Sequence, residues 1–111
     1  GISVAGKLVI HSVTLTATGQ NAQSSSGIYA SDKVIIAAGA NVTATGGYAS
    51  TGNSYGIEST NISVTRCSGK ATAGTANSNA WAMSRIPWRT DDINFSGNYN
   101  SKTMTWTTTY K

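Results

Sequence analysis

The sequence predicts an all-β chain, a short right-handed parallel β-helix of about 3–4 turns with a C-terminal cap. Three observations carry this expectation. Three stretches open on Gly-Ile and then run through an apolar strand and a Thr-rich one: Gly1-Ile2 to Gly19, Gly27-Ile28 to Gly46, and Gly56-Ile57 to Gly74. Their starts lie 26 and 29 residues apart, and a weaker fourth start at Ala80 follows after 24, a period typical of solenoids. Within each stretch apolar and polar residues alternate with the period of two that a pleated strand imposes. An antiparallel β-sandwich is the main alternative.

The elements follow in order within each unit. At the starts, Ile2, Ile28, Ile57 and Trp81 are expected to form one inward ladder. The next strands are Leu8-Val9-Ile10, Val34-Ile35-Ile36 and Ile62-Ser63-Val64. Ser63 marks their middle position as outward, so Leu8, Ile10, Val34, Ile36, Ile62 and Val64 are expected inside. In the Thr-rich strands Val13, Leu15 and Ala17 face inward, with Val42 and Ala44, then Ala71 and Ala73. Threonines take the other face, giving the expected ladders Thr16–Thr43–Thr72 and Thr18–Thr45. The longest connections, 19–26, 46–55 and 74–79, recur at the same place in each turn and are expected to emerge together. Composition changes at Ser84, which divides repeat turns (1–84, starting at Gly1, Gly27, Gly56 and Ala80) from a cap or atypical terminal turn (85–111). Pro87 breaks the pattern there, and Met104, Trp106, Thr108 and Tyr110 alternate on one face of a last strand. A β-helix end is an open sheet edge, so a cover is expected.

Composition narrows the function. A chain of 111 residues allows at most one domain with a modest core. Charged residues make up 11%, against roughly 25% in an average globular chain. The net charge of +4 reflects scarce acids. Its cations are spread along the chain instead of gathered on one element among aromatics, which argues against nucleic acid as a partner. Cys67 is the single cysteine, so neither an internal disulfide nor a thiolate cage is available, and it reads as a small buried hydrophobe. No apolar run approaches the ~18 residues of a membrane span, so no membrane insertion is expected. The chain opens in mid-repeat without Met, and is expected to continue into flanking domains of a longer protein.

Catalytic chemistry finds little support. The acids are Asp32, Glu58, Asp91 and Asp92. A glycosidase needs two carboxylates about 5–10 Å apart, and calcium needs about six or more oxygens. Asp32 and Glu58 fall at different offsets from their glycines, and Arg89 with Asp91 and Asp92 reads as a solvated turn. His11 has no second histidine with which to build a metal pair. No enzyme, cofactor or metal site is expected.

The phrase Val42-Thr43-Ala44-Thr45-Gly46-Gly47, the Gly-Ile starts and Ala82-Met83-Ser84-Arg85-Ile86-Pro87 resemble one bacterial group. These are surface or secreted repeat proteins of gut Firmicutes with a pectate-lyase-like β-helix, often described as carbohydrate-binding. The resemblance spans roughly residues 1–87. It implies an extracellular or cell-surface location and adhesion to a glycan, host or cell-wall surface. It carries no catalytic or ligand motif onto this chain.

The residues themselves offer two surfaces for a sugar, whose rings stack on aromatic faces and hydrogen-bond to Asn, Ser and Thr. The first is Tyr29, Tyr48, Asn53 and Tyr55, where the long loops emerge. The second is the cap with Trp88 and Trp106, although Trp81 and Trp106 also suit a plug for the solenoid end. The expected function is a non-catalytic module of a bacterial cell-surface or secreted protein, with weak carbohydrate binding. The alternative is a structural stalk or spacer. A polysaccharide lyase fragment and an ice-binding threonine face are further alternatives.

Overall fold

A computed structural model describes residues 1–108. The regular elements among them are all strands: β1 (Ile2–Val4), β2 (Lys7–His11), β3 (Thr14–Thr18), β4 (Ser25–Ala37), β5 (Asn41–Thr45), β6 (Ser54–Val64), β7 (Ser68–Thr72), β8 (Ala80–Met83), β9 (Trp88–Arg89), β10 (Ile93–Ser96) and β11 (Thr103–Thr108). One sheet runs β1-β4-β6-β8, with β2 also on β4 and β9 also on β6. All its pairs are parallel. The second sheet stacks β3, β5 and β7 in parallel, then adds β11 and β10 antiparallel. The chain is therefore a β-solenoid of about three turns, since same-sense pairing of successive units excludes a sandwich of hairpins.

The inward ladders form as alternation requires. Ile2, Ile28 and Ile57 stack in register, as do Leu8, Val34 and Ile62, and Ile10, Ile36 and Val64. Ile28, Val34, Ile36, Val42, Ile57 and Val64 are fully buried. Ile2, Leu8 and Leu15 are only half-buried, because the first turn has a neighbour on one side alone. Val13, expected inside, is 49% exposed. It precedes β3 as Ala40 precedes β5 and Cys67 precedes β7. That corner column is buried only where strands lie on both sides, β3 and β7 about β5 for Ala40, and β5 and the antiparallel β11 about β7 for Cys67.

The chain passes from one sheet to the other at a left-handed residue in every turn. Ser12, Ala38 and Arg66 have φ of 57°, 55° and 44°. They stack, with Ser12 Oγ donating to the Ala38 carbonyl at 2.7 Å and the Gly39 N–H to that of Arg66 at 2.6 Å. The long connections stack as well, through parallel bridges Ala22–Ala49 and Ala49–Ala76. Beneath them lie two buried serines. Ser25 Oγ accepts from the Gly47 N–H and donates to the Gln20 carbonyl, and Ser54 Oγ accepts from the Gly74 N–H and donates to the Gly47 carbonyl.

Two registers differ from expectation, each by two residues. Met83, not Trp81, stacks on Ile57, while Trp81 pairs with Tyr55. In the third Thr-rich strand Ala71 pairs with Ala44, and Gly69 lies opposite Val42. The threonine ladders accordingly read Thr16–Thr43–Lys70 and Thr18–Thr45–Thr72. Trp106 is the reason for the second shift: it pairs with Gly69, is 1% exposed, and its indole occupies the space that a Cβ at Gly69 would enter. Tyr110 of the expected alternation lies outside the described residues.

Candidate functional site

A groove of about 630 Å³ opens on the outer face of the first sheet. Its floor comes from the outward middle position of successive turns. Ile35 and Ser63 are paired there, and Trp88 of β9 pairs with Ser63 in the next turn. Lys33 and Asn61, two residues earlier on β4 and β6, are likewise paired. The groove therefore steps along the solenoid axis, one turn at a time. Ser84, Arg85 and Ile86 also line it. Ser84 is fixed by its N–H to the Ile57 carbonyl and by exchanging hydrogen bonds with the Ser59 backbone.

Aromatic rings complete it. Trp81 lies edge-to-face between Tyr55 and Tyr99, with centroids 6.3 Å and 5.9 Å away and interplanar angles of 66° and 87°. Tyr99 is held in place by its carbonyl, which accepts from the Met83 N–H at 3.0 Å. Trp88 is 62% exposed and Ile86 72%. Strand pairing fixes the backbone of Trp88 while its indole remains in solvent.

The residues singled out from sequence separate. Tyr48 is exposed in the second long loop, its N–H bound to Asn21 Oδ1. Asn53 Oδ1 accepts the Asn79 N–H, so this side chain braces one loop against the next. Tyr55 is buried beneath Trp81. Burial and the neighbouring Glu58 charge raise its phenol pKa, partly offset by a hydrogen bond with Asn53. Tyr29 is half-buried beside Glu58 on the next strand. Of the cap pair, Trp88 faces the groove, whereas Trp106 is a core plug with no free face.

Most of the groove's other members carried no signal of their own in the sequence. Lys33, Asn61 and Arg85 are ordinary surface residue types, whereas Tyr99 stood out only as one more aromatic near the cap. The outward assignment of the Ile35 and Ser63 position was the one clue, and it needed the register of β9 to lead to Trp88.

Glu58 and Arg89, outside the groove, are engaged structurally. Glu58 Oε1 accepts from Ser26 Oγ at 2.7 Å, and Glu58 aligns with Tyr29, not Asp32. Arg89 donates to the Ile93 carbonyl and lies 5.5 Å over the Phe95 ring. Among the described residues no group of three or more His, Cys, Asp or Glu side chains is placed to hold a metal ion. Cys67 is buried, and burial pushes its thiol pKa up, only partly countered by the Trp106 indole. Comparison with protein-family models, with curated proteins and with solved structures yields no match.

Proposed function

We propose that this chain is a non-catalytic carbohydrate-binding module of a bacterial cell-surface or secreted protein, holding a saccharide in the groove beneath Trp88. The observation that carries this reading is the 62% exposure of an indole whose backbone is pinned in a strand pair. An exposed, well-positioned aromatic face beside Asn61, Ser63 and Ser84 matches what a sugar ring offers: an apolar face ringed by hydroxyls. The resemblance of the repeats to secreted Firmicutes proteins supports the same assignment. Each stacked ring contributes about 1 kcal/mol by analogy with aromatic pairs, so affinities of roughly millimolar to high micromolar are expected.

Affinity electrophoresis through gels containing soluble polysaccharides, followed by Trp-fluorescence titration, tests it. Trp88→Ala is expected to abolish retardation while leaving the unfolding midpoint unchanged. Retardation that survives Trp88→Ala, or none with any polysaccharide, would sink the proposal. The stalk reading is the second one, favoured by inward columns such as Leu8, Val34 and Ile62 that repeat through the first three turns. It expects no saccharide affinity at all.

A further inference from the structure

We infer that the groove selects an anionic saccharide, one bearing carboxylates or sulfates, over a neutral one; this rests on the carbohydrate-binding reading above. The charged residues lining the groove are Lys33 and Arg85, both cationic, and no carboxylate lines it. Lys7 extends the positive potential, because it pairs in register with Lys33 on the neighbouring strand. Two ammonium groups on adjacent parallel strands start from backbones about 4.8 Å apart, a juxtaposition that like charge disfavours. Among the described residues no carboxylate forms an ion pair with Lys7, Lys33 or Arg85. Two acids lie close by without lining the groove: Asp32 precedes Lys33 on β4, both N–H groups donating to the Gly6 carbonyl, and Glu58 lines the adjoining cleft with Arg85, its Oε1 accepting the Ser26 hydroxyl.

The arrangement follows the direction a chain would take. Lys7, Lys33 and Asn61 form one column across the first three turns, and Ile35, Ser63 and Trp88 form a second column two residues on. A saccharide lying along the solenoid axis, with a ring against Trp88, would carry its acidic substituents past Lys33 toward Lys7. Arg85 stands on the wall formed by residues 84–86. Its guanidinium presents a planar fork suited to a carboxylate or sulfate. Unneutralised cations in a concave site also raise the local concentration of an anionic ligand, and that attraction fades with salt.

The test is isothermal titration with three probes: an oligogalacturonate, a sulfated glycosaminoglycan hexasaccharide and neutral xylohexaose. At least one anionic probe is expected to bind about tenfold more tightly than the neutral one at low salt. The advantage should shrink severalfold between 20 mM and 500 mM NaCl. Lys33→Ala and Arg85→Ala are each expected to weaken the anionic probe about three- to fivefold and to leave the neutral one unchanged. Which anionic probe wins distinguishes carboxylate from sulfate recognition. Equal affinity for neutral and anionic probes, lost in Trp88→Ala, overturns the charge selection while the carbohydrate reading stands. Failure of all three probes to bind overturns both.

Discussion

Ser54, like Ser25 one turn earlier, ties the stacked long loops together, and Ser54→Ala perturbs that stacking directly. The residue is fully buried, and its hydroxyl serves two neighbouring turns of glycine backbone. It donates to the Gly47 carbonyl at 2.8 Å and accepts from the Gly74 N–H at 2.8 Å. Alanine would strand one acceptor and one donor. A buried unsatisfied group costs about 1–3 kcal/mol. Both bonds are only part-buried, so the low end applies to each, and the sum is about 2 kcal/mol. Close backbone leaves little room for a replacement water, since a Cβ at Gly46 would already overlap Ser54 Oγ. At about 4–8 °C per kcal/mol for a domain near this size, the midpoint should fall by roughly 8–16 °C. Urea unfolding followed by Trp fluorescence measures the change at constant m. Ser50→Ala is the control, because that exposed hydroxyl makes a single 3.4 Å contact with the Ala22 carbonyl. A loss of less than about 0.5 kcal/mol for Ser54→Ala, indistinguishable from this control, would refute the reasoning.

Three further outcomes follow from the same geometry. Ala38→Gly should stabilise the fold by up to about 1 kcal/mol, because Ala38 sits at φ 55° in the left-handed region; a lower midpoint in chemical denaturation would contradict this. Gly69→Ala should destabilise by about 2 kcal/mol or more, since the new methyl meets both the Trp106 indole and the Val42 carbonyl; the emission maximum of the buried indole should shift to the red with it. The thiol of Cys67 has a folded pKa above its ordinary value, so its contribution to stability is fully present below about pH 8.5 and is lost as pH rises through the raised value. Melting midpoints should therefore fall in alkali. Cys67→Ala should delay that onset until Tyr55, also raised, begins to be affected above about pH 10.

How far the fold and the site were legible in the sequence can be judged from particular columns. Recurrence of Gly-Ile and of Leu8, Val34 and Ile62 announced the solenoid and the inward faces, because a strand's period of two ties each residue's side to its neighbours'. The same period is blind to a shift of two. Ala71 and Ala73 both alternate correctly, as do Trp81 and Met83, so only contacts across turns decide which of each pair joins the column. For the third Thr-rich strand the deciding contact is Trp106 against Gly69, made by a segment that returns antiparallel and places residues 37 apart in sequence side by side. Likewise an aromatic residue's type is visible in sequence, but its free face is not. Tyr55 and Trp106 are covered, and Trp88 is left bare beside Lys33 and Arg85. The sequence by itself determined the solenoid and its faces, since those follow from local alternation repeated in step. Register, the exposed indole and the cationic groove were decided only by the tertiary structure, since each depends on which residues of separate turns come to lie side by side.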